Sequence, residues 1–445
     1  MEFSQACHLP WPAKIRAAYF VWMQIQLAYG EGHLTIECPD DRTAVITPYE
    51  RAGISDERTA IHTALDAPTA GTSLRQLVKT DTRICILFTD ITRATPNDRM
   101  IPWLLDYLSF LPKENIILLN QLGTHRPNSR AELEKMLTKE VVNNYRVLNA
   151  EPENREAHVQ LGTTRDGTPA LINRHAVEAD LRIVTGFIEP HFFAGFSGGP
   201  KGIMPGVAAL ETVLSNHSAE NIASKNATFG ITYGNPIWEE ILTIAQRTGP
   251  KFLLNVSLNN SHQITNVFSG DLIEAHKAGC EFVKRSAMQA IAEPFDVVVT
   301  TNSGYPLDLN LYQGIKGMSA GARILKEGGT LILAAECREG VPSGSELDKL
   351  LRYAQNPEEI LTLLSTPGFV RPEQWQAQIQ ALIQRKADVR VYSSLDDDAL
   401  QAAHLAPCAD ISGTVAEELE KHGPDARVAV LPQGPLTIPY LEPIT

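Results

Sequence analysis

Short, β-branched apolar runs recur along this chain, and each is followed by a segment with helical spacing. TRICILFTD (82–90), ENIILLNQLG (114–123), LRIVTGF (181–187), FDVVVTTNS (295–303), GGTLILAAEC (328–337), DVRVYSSL (388–395) and ARVAVLPQG (426–434) read as strands. RAELEKML (130–137), ALETVLSNHS (209–218) and PEQWQAQIQALIQRK (372–386) read as helices between them. Strand and helix in alternation predict an α/β fold whose mainly parallel sheets are covered by helices on both faces. A chain of 445 residues exceeds one ordinary core, so two domains are expected. A boundary falls near 280–294, where HKAGCEFVKRSAMQAIAEPF, read as helical, leads into a fresh strand series. The expected division is an N-terminal extension over 1–27, a first domain over 28–283 and a second over 284–431. The proline-punctuated tail 432–445 is expected to pack back on the first domain. The aromatic-rich extension reads as a short helix on the body, or as residue ahead of a true start at Met23, and has no assigned role.

Composition narrows the function classes. A net charge of −13 argues against a general nucleic-acid binder, which needs a basic stripe to displace counterions. It leaves small anionic substrates open, because a few Arg and Lys can invert the field inside one cleft. The six cysteines show no CxxC and no regular spacing, as suits reduced thiols. No run approaches the ~18 apolar residues of a membrane span, and no signal-peptide order opens the chain. The expectation is a cytoplasmic protein.

Polar residues gather at the ends of predicted strands. Asp90, Thr92 and Arg93 follow one in DITRATP, and His125 and Arg126 follow the next in GTHRP. Glu189 and His191 follow a third in FIEPH, while Tyr312, Gln313 and Lys316 lie beyond a fourth in YPLDLNLYQGIKG. Taken singly, Asp90 reads as the cap of a turn before a proline-started helix. Ligands of open parallel sheets bind outside the carboxyl ends of strands. Four such clusters therefore predict one shared site in the cleft between the domains.

The run EPHFFAGFSGGPKGIMPG (189–206) nearly spells a phosphate loop. A Walker A loop needs GxxxxGK followed by Ser or Thr. Here the sixth position from Gly195 is Pro200, and Gly202 follows Lys201, so the match fails twice. Gly195, Gly198 and Gly199 are still expected to let the backbone approach a ligand, with a helix from about Gly206 adding N-terminal donors. His217, in LSNHS, suits a helix C-terminus without any ligand. No HExxH or CxxC pattern occurs, so a metal here would need its other ligands from a cofactor. These residues leave open a nucleotide-dependent transferase or a non-catalytic small-anion-binding protein.

Together, DITRATP, GTHR, EPHFFAGFSGGPKGIMPG, SNH (215–217), YQGIKG and EQW resemble the nickel-dependent lactate racemase family. The likeness runs in order from about residue 28 to the C-terminus. It implies a nickel-pincer nucleotide, a pyridinium mononucleotide whose sulfur and carbon atoms grip one Ni, loaded by its own biosynthetic enzymes. It further implies that Lys201 carries this group covalently and that His217 ligates nickel. His125 and His191 match the acid/base pair, and Arg93 and Lys316 the groups that bind or organise the substrate carboxylate. Asp90, Gly198, Gly199, Tyr312, Gln313 and Trp375 match residues lining the site. The implied reaction is racemisation or epimerisation of a 2-hydroxy carboxylate. Its α-hydrogen is too weakly acidic for a side-chain base. Departure as hydride, with the hydroxyl proton going to a base, leaves a neutral 2-oxo acid whose two faces can both be re-reduced. Two histidines suit the two enantiomers, and a planar guanidinium suits the carboxylate. Soft sulfur and imidazole suit nickel. Phe192 and Phe193 suggest an apolar wall beside the reacting carbon, hence a small substituent as in lactate.

Overall fold

A computed structural model describes residues 21–442. Two six-stranded sheets organise it. The first runs Ile264–Gly270, Lys251–Leu258, Leu181–Phe187, Ile84–Thr89, Ile116–Gln121, Arg146–Asn149, parallel except for its first, edge strand. The second runs Ala406–Pro407, Asp388–Tyr392, Leu325–Ala334, Phe295–Thr301, Val428–Leu431, Thr43–Val45, and is parallel throughout. Every residue of Leu181–Phe187 and of Phe295–Thr301 is buried, as strands covered on both faces require. The covering helices are locally specified. Ser129 and Glu132 form a reciprocal capping box on Arg130–Leu137, and Asn235 with Pro236 opens Pro236–Gln246. All seven strands and three helices expected above form, with ends shifted by a few residues.

Strand order reverses between Ile84–Thr89 and Leu181–Phe187 in the first sheet, and between Phe295–Thr301 and Val428–Leu431 in the second. The carboxyl ends at such switch points diverge into a crevice. Asp90 and Glu189 follow the first pair, and the helix Leu311–Gly321 follows Phe295–Thr301 in the second.

Several expectations are corrected. Residues 22–27 are strand, not helix: Trp22–Tyr29 pairs with Gly32–Pro39 as an antiparallel hairpin; residues 1–20 lie outside the described ones. Ile25, Leu27, Ile36 and Cys38 of that hairpin pack with Val297, Val299, Val428 and Val430. Thr43–Val45 then extends the second sheet. The opening of the expected first domain thus belongs to the second unit. Long-range pairing decided this, and a local hydrophobic pattern does not encode a strand's partner. The segment HKAGCEFVKRSAMQAIAEPF is helical only to Ala287, the rest forming the strand Met288–Ile291. That strand pairs in parallel with Ile438–Leu441 of the tail, and Arg323 of the second unit donates Nε–H to Pro439 O at 2.9 Å. The strand of the tail therefore joins the connecting strand and the second unit, while Gln433, at the start of the tail, accepts from Asn260 of the first. Cys38, Cys85, Cys280, Cys337 and Cys408 are free and buried, and Cys7 lies outside the described residues. Among those residues no helix is long and apolar enough to cross a membrane.

Candidate active site

At the end of Ile84–Thr89, Asp90 is 2% exposed. Its Oδ1 accepts from Thr92 N (3.2 Å) and Thr92 Oγ (2.8 Å), capping its own turn. Its Oδ2 accepts from His125 Nδ1 at 2.5 Å. One carboxylate thus performs both the capping role read from DITRATP and the orientation of a histidine. Burial pushes the Asp90 carboxyl up, but the bond from His125 and the nearby cations outweigh it and hold the group below its usual value. With Nδ1–H committed to Asp90, the lone pair of His125 lies on Nε2.

After Leu181–Phe187, Pro190–His191 pairs with Gly195–Phe196 in a tight antiparallel turn. Ser197 Oγ ties it down, accepting from Glu189 N and donating to Phe187 O, each at 2.9 Å. His191 Nδ1 accepts from Ala194 N at 3.2 Å. The glycines meet a demand that the sequence did not show. Gly195, Gly198 and Gly199 have φ of +81°, +72° and +55°. A Cβ on Gly198 would lie 2.5 Å from Asn255 Oδ1, and one on Gly199 would lie 2.5 Å from the His276 ring. The loop is pressed against its own protein, so glycine is needed for that contact and for left-handed backbone. Asn255 Oδ1 accepts from Gly199 N at 2.7 Å, and His276 Nε2 donates to Ser197 O at 2.8 Å while stacking on Trp238. Neither Asn255 nor His276 stood out in the sequence, because each sits in an ordinary strand or helix pattern far from the loop. The expected helix from Gly206 begins only at Leu210 and runs seven residues. Its N-terminus adds nothing to the loop, which continues as the 3₁₀ turn Gly199–Gly202.

Lys201 lies in that 3₁₀ turn, its Nζ 5.7 Å from the centre of the Phe193 ring. Desolvation, then the charge of Arg93, lowers its pKa to about 7. Phe193 also meets His191 edge-on at 4.5 Å and His217 at 4.9 Å. His217 caps Leu210–Asn216 and is 4% exposed. Its Nδ1 donates to Asn216 Oδ1 at 2.9 Å, and burial lowers its pKa to about 3. Nε2 is left with its lone pair. On its other side His217 meets Trp375 at 5.1 Å, from helix Gln374–Lys386 of the second unit. Trp375 Nε1 donates to Tyr312 Oη at 3.3 Å, and Lys316, one turn on in Leu311–Gly321, donates to Gln313 Oε1 at 2.6 Å. Desolvation, then Arg93, lowers Lys316 to about 8.

Both units therefore contribute to one cluster. Arg93 exerts its charge on Glu189, His191, Lys201, Tyr312 and Lys316 together, and makes no ion pair among the described residues. Burial raises the Glu189 carboxyl while Arg93 and Lys316 oppose the rise, and burial followed by the surrounding cations holds His191 well below its usual value. Arg93, Lys201 and Lys316 gather beside the carboxyls of Asp90 and Glu189, a local concentration of cationic groups that favours an anion despite the acidic whole. A cavity of about 220 Å³ lies behind the loop, lined by Phe196, Pro200, Trp238, His276 and Cys280; it shares no member of this cluster. Among the described residues no three His, Cys, Asp or Glu side chains are grouped to hold a metal.

Residues 29–230 match the lactate racemase N-terminal domain and 290–438 the lactate racemase C-terminal domain. The chain is 34% identical over 420 residues to the lactate racemase of Thermoanaerobacterium thermosaccharolyticum, covering 92% of this chain and 97% of that one. It is 36% identical over 422 residues to that of Lactiplantibacillus plantarum, covering 92% and 98%. The structure superposes on the T. thermosaccharolyticum lactate racemase apoprotein with a TM-score of 0.88 at 33% identity, covering 94% of this chain and 100% of that one. A Thermotoga maritima protein shares the fold, with a TM-score of 0.65 at 21% identity over 88% of this chain and all of that one. The two-unit α/β architecture thus has a close counterpart, and the chain is an isomerase belonging to the lactate racemase family.

Proposed function

We propose that this protein interconverts the enantiomers of a small 2-hydroxy carboxylate, lactate first, using a nickel-pincer nucleotide held between its two units. The observation that carries this reading is the pairing of Lys201, lowered to about 7, with His217, whose Nε2 is free, across the single ring of Phe193. An amine with its pKa lowered to about 7 is partly neutral near physiological pH and suits covalent attachment, where a phosphate-holding lysine would need its charge. A lone imidazole without grouped His, Cys or carboxylate donors suits a metal whose other ligands arrive with the cofactor. The residues present therefore fit the group. Lys201 would hold it, His217 would ligate nickel, and Asp90, Gly198, Gly199 and Trp375 would line it. When bound, it supplies a hydride acceptor.

The chain's own residues do the rest. Arg93 and Lys316 grip the substrate carboxylate, with Tyr312 and Gln313 beside them. The Nε2 lone pair of His125, aimed by Asp90, takes the hydroxyl proton of one enantiomer. His191 carries its proton on Nε2 while Nδ1 accepts from Ala194 N–H. It therefore presents a donor to the substrate oxygen, and acts as base for the other enantiomer only after that contact opens. Phe192 and Phe193 exclude water from the reacting carbon. Loading depends on the cofactor-making enzymes. Co-expression with them should add a nucleotide-sized mass to the intact chain that is absent from Lys201→Ala; an unmodified wild-type mass defeats the tether. In loaded protein, His125→Ala and His191→Ala should each lower interconversion of D- and L-lactate by at least about 10²-fold. Retained activity in either variant defeats the two-histidine scheme.

A further inference from the structure

The side chains behind His217 form a continuous hydrogen-bonded relay. His217 Nδ1–H donates to Asn216 Oδ1 at 2.9 Å. Asn216 is fully buried, and its Nδ2 donates to Glu240 Oε2 at 2.8 Å and to Ile237 O at 3.2 Å. Glu240, 4% exposed on helix Pro236–Gln246, accepts from Arg165 N at its other oxygen, at 2.6 Å. The acidic end of the relay is thereby anchored to the backbone of a turn in the first unit. Asn216 and His217 are consecutive, so the amide is delivered by the same helix end that delivers the imidazole.

From this arrangement we infer that Asn216 is a positioning residue for the metal ligand, and that Glu240 acts through it. The inference rests on His217 being that ligand. A neutral imidazole has one N–H and one lone pair, and the partner of the N–H decides which nitrogen is free. An amide oxygen carries no hydrogen and can only accept, and the bonds from Asn216 Nδ2 to Glu240 and Ile237 O keep that oxygen turned to Nδ1. The proton is therefore fixed on Nδ1, and Nε2 is offered as the ligand without rearrangement. Glu240, accepting the amide N–H, polarises the carbonyl at the other end of the same group and strengthens its hold on the imidazole. Phe193 and Trp375, edge-on at 4.9 and 5.1 Å, fix the ring's rotation. The relay fixes its tautomer. The charge stays remote: the imidazole meets a neutral amide rather than a carboxylate, so the histidine remains a neutral ligand.

The test has two readouts. In full-length protein without cofactor, long-range ¹H–¹⁵N correlation at pH 7 should show the His217 proton on Nδ1, and Asn216→Leu should release it to a mixture or to Nε2–H. Nε2–H in the wild type overturns the inference, whatever the variants do. In protein loaded by the cofactor-making enzymes, Asn216→Leu should speed nickel loss to a chelator by about 10- to 100-fold, with the covalent mass on the chain unchanged. Wild-type nickel retention in Asn216→Leu overturns the relay. His217→Ala separates the two readings. If it loses nickel while Asn216→Leu does not, His217 is a ligand without need of Asn216. If it too retains nickel, the ligand assignment itself fails and the relay with it.

Discussion

Three side chains at this site owe their behaviour to what surrounds them. Lys201 and Lys316 are ordinary lysines until desolvation and the shared guanidinium of Arg93 lower them to about 7 and about 8. The signs give two opposed pH dependences. Lys201 is a nucleophile only when neutral, so covalent loading, followed by intact mass, should rise as pH climbs through about 7 and level off above. Lys316 binds a carboxylate best when charged, so KM for lactate should rise as pH climbs past about 8, and Lys316→Arg should flatten that rise. The third is Asp90. It reads in sequence as a turn cap and is one, yet its second oxygen aims His125. The residue type was legible, whereas the second partner, 35 positions away, was not.

At the scale of elements, the glycine-rich loop is a bracket shaped by its underside. Its glycines were visible in EPHFFAGFSGGPKG, but the protein groups they press against were not. The structure places Asn255 and His276 where side chains on Gly198 and Gly199 would have to go. Gly199→Ala should therefore cost about 1–3 kcal/mol in chemical denaturation, from left-handed strain and crowding against the His276 ring. It should also lower the covalent mass yield, because Lys201 lies two residues on. Of the two helices that complete the site, Gln374–Lys386 was legible from its periodicity, and its Trp375 indole reaches His217 in the first unit. Leu311–Gly321, capped by Asn310, was not read as a helix, and only its polar residues stood out.

Across the whole molecule, the two units are stitched together by chain that leaves and returns. Thr43–Val45 closes the edge of the second sheet from the N-terminal side, and Ile438–Leu441 pairs with the connecting strand Met288–Ile291. Arg323 holds both sides, bonding Pro439 O and the Thr228 hydroxyl and lying over Phe229. Ile438 is completely buried within the large core that spans both units. Ile438→Ala should cost about 2–5 kcal/mol by thermal or denaturant unfolding, and should weaken loading by loosening the approach of Trp375 to His217. By itself the sequence determined the α/β class, seven of the sheet strands, three of the covering helices and the candidate reactive residues at strand ends. Those follow from local spacing, burial pattern and residue chemistry within a few positions. Tertiary structure alone decided which unit residues 22–46 and the tail join, what the glycines press against, and how far each cation's charge is shifted. Those are properties of pairing and enclosure, set by groups far apart in the chain that meet only when it folds.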